Sequence, residues 1–366
     1  MVPERPCVMK ENLRIVVIGC GDMGSSHAKA YAGMEEFEIV GLVSRQPESR
    51  EALCSQLGGG IAMYSDGEEA IEQLRPDVVS INTFPDTHEG FAIRALESGA
   101  HVFMEKPIST TAEGGRRIVD AAARSGRKLV IGYILRQHPS WIQFIEIART
   151  LGKPLVMRMN LNQQSEGVKW SKHRNLMASM SPIVDCGVHY VDVMCQMTRA
   201  TPVRVSAIGA RLSDDLIEGM YNYGQLQVTF DDGSVGWYEA GWGPMISETA
   251  FFVKDVVGPE GSVSIVAKSA GGASKSSDLE SHTKTESLRV HHSDLTGEEK
   301  FAKEDEIIDM TDEPDHAELC AREQRFLLRA IQEDLDLTDH WNDAVNSLRI
   351  VLAADESVRS GQTVLL

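Results

Sequence analysis

Two short stretches of this chain carry residues fit for proton chemistry. Glu105-Lys106-Pro107 closes the apolar run Ala100-His101-Val102-Phe103-Met104, which reads as a buried strand. An ammonium at the tip of such a strand is costly unless paired or solvated, because burial disfavours the charged form. Pro107 fixes its own φ and holds Lys106 extended, with a cis peptide bond an open option. The second stretch is Pro182-Ile183-Val184-Asp185-Cys186-Gly187-Val188-His189-Tyr190-Val191-Asp192. On a continuous helix Asp185, His189 and Asp192 share one face, and Gly187 in its middle would permit a ligand to approach closely. An imidazole beside a carboxylate is a usable general acid or base near neutral pH, and a lysine can donate to an oxygen that gains charge.

Blander readings compete. Glu105 and Lys106 could form a solvated pair, and Asp192 could merely orient His189 within a core. An Asp/His/Asp face could also hold metal, but no third histidine or cysteine cluster supports that, and no metal is expected. Trp170-Ser171-Lys172-His173-Arg174-Asn175 reads as a polar loop, from which His173 and Arg174 either line a substrate pocket or face solvent.

The elements that must position these residues alternate. Leu13 to Ile18 is a β-branched run, followed by Gly19-Cys20-Gly21-Asp22-Met23-Gly24, a helical pattern from Ser25 to Met34, and a second strand, Glu38 to Val43. Strand, glycine turn, helix and strand within about thirty residues is the setting a dinucleotide fingerprint requires. Gly19 would make the tight turn, Gly21 would let backbone approach a pyrophosphate, and Gly24 would let helix pack on strand. The helix N-terminus supplies N–H groups to the phosphates. After the second strand comes Ser44-Arg45, where an NAD site usually has an acid. A hydroxyl and a guanidinium suit a 2′-phosphate, so the cofactor expected is NAD(P) with a lean to NADP; alternatively Arg45 stacks on adenine or faces solvent. Further strands at Val78 to Asn82, up to Lys106, and Lys128 to Ile134 predict a parallel sheet covered on both faces. Ligands of such sheets lie outside the carboxyl ends of the strands, where Gly19, Ser44, Thr83 and Lys106 all fall.

From about Pro139 the pattern changes to β-rich runs, with Asp231-Asp232-Gly233 as a hairpin signal. The fold class is therefore α/β, a Rossmann doubly wound sheet over 1–136, followed by an α+β domain over 137–366 with a large, mostly antiparallel open sheet. Trp237, Tyr238 and Trp242 either stack on a ligand or pack between strands. Residues 268–306 read as a solvated excursion with partial ordering by strands open to it, His291-His292 as a solvated pair within it, and helices over 315–332 and 343–359 close the chain.

Composition narrows the partners. The chain has 366 residues and a formal charge of -18, which argues against nucleic acid or an anionic membrane surface. No apolar run is long enough to span a bilayer, the opening residues lack the apolar core of a signal peptide, and the six cysteines are scattered without a C-x-x-C pair. A cytoplasmic protein acting on a small molecule is expected.

Taken together, Gly19 to Gly24, the Thr83…Pro85…His88 turn, Gly99-Ala100-His101-Val102…Glu105-Lys106-Pro107 and Asp185-Cys186-Gly187-Val188-His189…Asp192 resemble the GFO/IDH/MocA family (glucose-fructose oxidoreductase, inositol dehydrogenase, rhizopine catabolism). The tail from Asn346 to Gly361 resembles the family's last helix. The resemblance implies reversible oxidation of a secondary alcohol on a sugar, glycoside or cyclitol, C3 of a glycoside among the positions open to it. It also implies Lys106, Asp185 and His189 as the catalytic set, Thr83, Pro85, His88 and Glu105 along the nicotinamide, and homo-oligomers built through the C-terminal sheet. Two departures stand out. Ser179-Met180-Ser181-Pro182 replaces a glycine-rich lead into the reactive helix, and Ser44-Arg45 replaces an acid. Two other readings use the same residues: a glycosidase that works by transient oxidation and elimination, and a non-catalytic nicotinamide sensor.

Overall fold

The computed structural model describes residues 12–247, 252–266, 276, 283 and 285–366. The chain divides into two compact units. The first takes in the chain up to Glu105, Arg117–Gly132 and Cys320–Leu337; the second takes in Lys106–Arg116, Tyr133–Leu319 and Thr338–Leu366.

Six short strands make the sheet of the first unit: β1 Leu13–Ile18, β2 Phe37–Val43, β3 Ala62–Tyr64, β4 Val78–Ile81, β5 His101–Glu105 and β6 Leu129–Gly132. Their order is β3-β2-β1-β4-β5-β6, and every pairing is parallel. Helices α1 Asp22–Ala32, α2 Pro47–Gln56, α3 Gly67–Leu74, α4 His88–Glu97 and α5 Ala112–Ser125 intervene. The strands bear no alternation because both faces are covered. Val16, Val17, Val78, Val79, Val102 and Phe103 are all fully buried. The order reverses between β1 and β4, so the carboxyl ends of those two strands form the switch point where such folds take ligands.

The second unit is built on a nine-stranded sheet. Its strands are β7 Val156–Gln164, β8 Pro202–Ala210, β9 Tyr223–Phe230, β10 Val235–Gly243, β11 Lys254–Gly258, β12 Gly261–Val266, β13 Glu286–His292, β14 Glu306–Met310 and β15 Val364–Leu365. They run in the order β14-β13-β12-β11-β7-β10-β9-β8-β15, antiparallel except for the β7–β10 pair. The hairpin at Asp231-Asp232-Gly233 forms as the sequence predicts, with Gly233 at φ +82° and Phe230 donating to the Ser234 carbonyl. Helices α6 Pro139–Thr150, α7 Gly167–Leu176, α8 Pro182–Asp185, α9 Gly187–Thr198, α10 His316–Gln332 and α11 Thr338–Ser360 follow the chain.

One face of this sheet is core. Met157, Met159, Leu226, Tyr238, Ala240 and Val256 are fully buried, and Tyr238 stacks on Tyr190 of α9 at 5.1 Å. The other face presents Val257, Val156 and Val235 as a row across three adjacent strands, 39%, 42% and 39% exposed.

Two sequence expectations need correction here, and a third is made definite. The segment around His173 is helical, within α7, because its polar residues occupy the outer side of a short helix anchored by the buried Trp170. The excursion is ordered in part by strands, one of the readings open to it, but His291 and His292 are paired rather than merely solvated. β13 pairs with β12 and β14, and on it His291 pairs with Asp305 (2.8 Å) and His292 with Glu306 (3.0 Å). Residues 268–275, 277–282 and 284 of that excursion lie outside the described residues. Gly187, finally, makes room for protein. A Cβ there would stand 2.8 Å from the Tyr238 ring, so the glycine lets α9 lie close on β10.

Candidate active site

In the first unit the glycine turn is shaped by contacts that exclude side chains. Gly19 has φ +94°, and a Cβ on it would fall 2.5 Å from the Asn82 carbonyl oxygen. A Cβ on Gly24 would fall 1.8 Å from the Gly19 carbonyl oxygen, so helix and turn touch backbone to backbone. Gly21 has nothing within 4 Å of its missing side chain and is the N-cap of α1, with no side chain capping the first-turn N–H groups. Glycine at this position leaves the donors of α1 open to an anion. Cys20 between them is buried; its thiol donates to the Val43 carbonyl (3.4 Å), and burial pushes its pKa up to about 11. Asp22 and Met23 open the helix, the former exposed.

The ends of β1, β2 and β4 converge on this turn. Gly19 N–H donates to Val43 (2.8 Å), and Thr83 lies against Gly19. Ser44 Oγ accepts from the Gln46 N–H (3.3 Å), and Arg45 beside it is exposed. A second arginine arrives from α2. Arg50 Nη1 donates to the Ser44 carbonyl at 2.5 Å. Sequence reasoning missed Arg50, although its place one turn into the helix after Pro47 was a usable signal.

The Thr83–His88 turn is held from within. Thr83 and Thr87 hydroxyls are 2.7 Å apart, Pro85 opens a short 3-10 turn, and buried His88 bonds the Thr83 carbonyl through Nε2 at 3.0 Å. His88 therefore shapes the turn from beneath. Glu105 is likewise buried, and its Oε1 lies 2.8 Å from His27 Nε2. The other His27 nitrogen accepts from Gln324 (2.9 Å), whose oxygen accepts from Tyr31 (2.5 Å). His27, Cys320 and Glu323 also form a group whose potential metal-ligating atoms lie within 4.8 Å of one another. Both His27 nitrogens are already in hydrogen bonds.

In the second unit the reactive side chains of the two stretches meet. Lys106 Nζ donates to Asp185 Oδ1 and to the Asp185 carbonyl oxygen, both at 3.0 Å. The Lys106–Pro107 peptide is cis. Burial would raise the Asp185 carboxyl, but the Lys106 charge and hydrogen bond, with a contribution from His189, outweigh it and hold the group below its ordinary value. Asp185 ends α8, and the helix breaks at Cys186 before α9 begins. The break still leaves His189 close enough to act on Asp185. Of the twelve residues of α9, His189 is the one that is not buried. Its ring meets Tyr133 edge-on at 5.9 Å.

Asp192 does not join them. It is buried against Arg136, whose Nε and Nη2 donate to its two oxygens at 2.8 and 2.5 Å, while Asp343 takes a further bond from Arg136. The helix break at Cys186 and the pull of a buried guanidinium defeat the shared face the spacing suggested.

His173 lies within the field of Asp185. It stacks on Trp242 at 4.4 Å and 15°, and its Nδ1 is 3.0 Å from Ser165 Oγ. Burial, with help from Lys169, lowers its pKa to about 4 despite the opposing field of Asp185. Arg174 points elsewhere, over Trp170 and toward Asp215 at 3.3 Å. Trp242 and Tyr238 are buried strand-packing residues, as the blander reading had it.

Residues 13–133 match the family model described as the oxidoreductase family, NAD-binding Rossmann fold, and 147–264 match the GFO/IDH/MocA C-terminal domain. The chain belongs to the GFO/IDH/MocA family. Among curated relatives, the inositol 2-dehydrogenase 2 of Saccharopolyspora erythraea is 30% identical over 189 residues, 50% of this chain and 52% of that protein. The inositol 2-dehydrogenase of Agrobacterium fabrum is 32% identical over 151 residues, 40% and 44% of the two. The chain thus spans about half the length of the curated relatives it matches. Among solved structures, the scyllo-inositol dehydrogenase of Lactobacillus casei with NAD(H) and scyllo-inositol superposes with TM-score 0.76 at 18% identity, covering 97% of this chain and 99% of that one. The UDP-N-acetylglucosamine 3-dehydrogenase of Acidithiobacillus ferrooxidans gives 0.73 at 20%, covering 95% and 98%. These likenesses agree on the fold, and the GFO/IDH/MocA assignment makes an NAD-binding Rossmann unit part of it. Among the described residues no helix is long and apolar enough to cross a membrane.

Proposed function

We propose that this protein interconverts a secondary alcohol and a ketone on a sugar, glycoside or cyclitol, with a nicotinamide dinucleotide as redox partner. The observation that carries the reading is Lys106 bonded to Asp185 beside His189, the one unburied residue of its helix, in a member of this family. The names of its relatives, inositol and UDP-N-acetylglucosamine dehydrogenases, support a polyol substrate.

The first unit fits the cofactor. Gly21 leaves room beside the uncapped N-terminus of α1, and the Ser44 hydroxyl and Arg45 follow β2, where Arg50 reaches in from α2. Nicotinamide, when bound, supplies the hydride acceptor. Ser44, exposed Arg45 and Arg50 favour a 2′-phosphate, hence NADP, because guanidinium–phosphate bonds are charge-assisted and no acid stands there to accept from a ribose hydroxyl.

The proton chemistry falls to the second unit. Lys106 engages Asp185 as an ammonium, which has no lone pair to accept with. His189 therefore takes the hydroxyl proton as the carbinol is oxidised, and Lys106 donates to the same oxygen and stabilises its developing charge. Asp185 holds the lysine and adds a negative field that favours the imidazolium formed. We also infer that the Val257–Val156–Val235 row is covered by a second copy of the chain, since an exposed apolar strip on a broad sheet is otherwise an association liability.

The test is direct. Purified protein given NADP or NAD and a panel of cyclitols, sugars and glycosides should develop the reduced-nicotinamide absorbance with at least one of them. Bound cofactor with no reduction by any polyol would refute the reading.

A further inference from the structure

His173 is held with more care than a pocket wall needs. Its plane is set by the stack on Trp242 (4.4 Å, 15°), and Trp242 is itself 1% exposed. Rotation within that plane is set by Ser165 Oγ, 3.0 Å from Nδ1. Ser165 is 1% exposed, and its N–H is fixed to the Gly243 carbonyl (3.2 Å), so it belongs to the same rigid strand end as Trp242. With plane and rotation both fixed, the direction of Nε2 is fixed as well. The ring remains partly exposed, and it lies within the field of Asp185, the partner of Lys106.

We propose that His173 reads a second, uncharged hydroxyl of the substrate through Nε2, and so makes a ring bearing at least two free hydroxyls the recognised unit. This rests on the dehydrogenase reading above. An imidazole that stays neutral at physiological pH offers a single hydrogen bond and no positive charge. Set near the Asp185 carboxylate, such a position disfavours a phosphate or carboxylate and suits an alcohol. A preoriented ring nitrogen whose hydroxyl partner is missing loses the hydrogen bond it is set to make, so discrimination should appear against substrates lacking that hydroxyl.

The experiment compares the best polyol from the panel with its single-deoxy analogues, using wild-type protein, His173→Phe and His173→Gln. Phenylalanine keeps the stack on Trp242 and deletes the nitrogen; glutamine restores a neutral hydrogen-bonding group. For one deoxy position, wild-type kcat/KM should fall by about 10- to 100-fold. His173→Phe should lose a similar factor on the parent polyol, mostly in KM, and show no further loss on that analogue. His173→Gln should recover part of the discrimination. If His173→Phe does not fold, Ser165→Ala, which frees the ring's rotation, should show the same flattening in weaker form. Unchanged discrimination in these variants would overturn the inference alone. No turnover of any polyol by the wild type would overturn the dehydrogenase reading, and the inference with it.

Discussion

Lys106 Nζ lies 3.0 Å from both the carbonyl oxygen and Oδ1 of Asp185, 79 residues away in the chain. The two-point grip fixes the ammonium in direction and keeps the aspartate ionised below its ordinary range. Replacing Lys106 by Ala removes both a donor and a counter-charge. Turnover should drop by about 10²- to 10⁴-fold while cofactor affinity changes little. His189→Ala should do the same. Titrating cofactor into both variants and measuring single-turnover reduction checks this. Wild-type rates in the two would sink the assignment.

The end of β2 predicts a cofactor preference. Arg45 is exposed beside Ser44, and Arg50 is anchored on the Ser44 carbonyl. A hydrogen bond to a charged group contributes about 1.5–3 kcal/mol, so Arg45→Ala should weaken NADP by roughly 10- to 100-fold. NAD affinity should hardly move. Calorimetric titration with each dinucleotide separates the cases, and equal losses for both would show that Arg45 does not read the 2′-phosphate.

How far the sequence reaches can be judged from such residues. The parallel sheet was legible because fully buried strands read as unbroken β-branched runs, and Gly19 and Gly24 because backbone contact leaves no alternative residue. Lys106 and Asp185 were found as chemistry, yet their bond is long-range and no local pattern states it. Arg136 is the opposite case. Nothing in its own neighbourhood announces a partner 56 residues on, so Asp192 was grouped with His189 by spacing alone. The segment Cys320–Leu337 completes the first unit from the far end of the chain, placing Gln324 against Tyr31 and His27. Periodicity shows that segment to be a helix but not what it packs on.

That segment also carries a buried acid. Glu323 is 3% exposed, and burial together with the charge of Glu105 raises its carboxyl well above the ordinary value of 4.5. The folded chain then holds this proton more tightly than the unfolded chain does. Its stabilisation is complete below the unfolded pKa and is lost as pH rises through the folded one. Glu323→Gln, which cannot ionise, should match wild type below the unfolded pKa and exceed it at higher pH, the gap growing by about 1.4 kcal/mol per pH unit between the unfolded and the folded pKa and levelling off above the latter. Thermal melts across pH test this; parallel curves for the two proteins would contradict it.

The cysteines within the two candidate sites should be inert. Cys20 is raised to about 11 by burial, and Cys186, buried between Asp185 and Gln163, is raised well above its ordinary value by burial and by the Asp185 charge. The thiolate is the reactive form. Native protein treated with iodoacetamide near pH 8 should therefore leave both unmodified in peptide maps, while denatured protein labels fully. Rapid native labelling of Cys186 would mean that the Lys106–Asp185 pair opens to reagent.

Asp192 tests where chemistry ends and architecture begins. It is 1% exposed and takes two bonds from Arg136 and one from Gln196 (3.0 Å), while Asp343 binds both Arg136 and Arg199 at 2.9 Å. Removing Asp192 strips two charge-assisted bonds from buried Arg136, which keeps only Asp343, and leaves Gln196 without this acceptor, at a cost of up to about 3–5 kcal/mol. Asp192→Ala should therefore unfold at markedly lower denaturant. Its folded fraction should retain KM, and kcat within a few-fold, because Asp192 has no part in the Lys106–Asp185–His189 group. Asp185→Asn should reverse the pattern, losing turnover with a smaller loss of stability, since its side chain is 19% exposed and an amide still accepts from Lys106. If instead Asp192→Ala lost turnover as steeply as His189→Ala while remaining folded, the helix face inferred from spacing would be functional after all, and the Arg136 pair would be part of the reactive group.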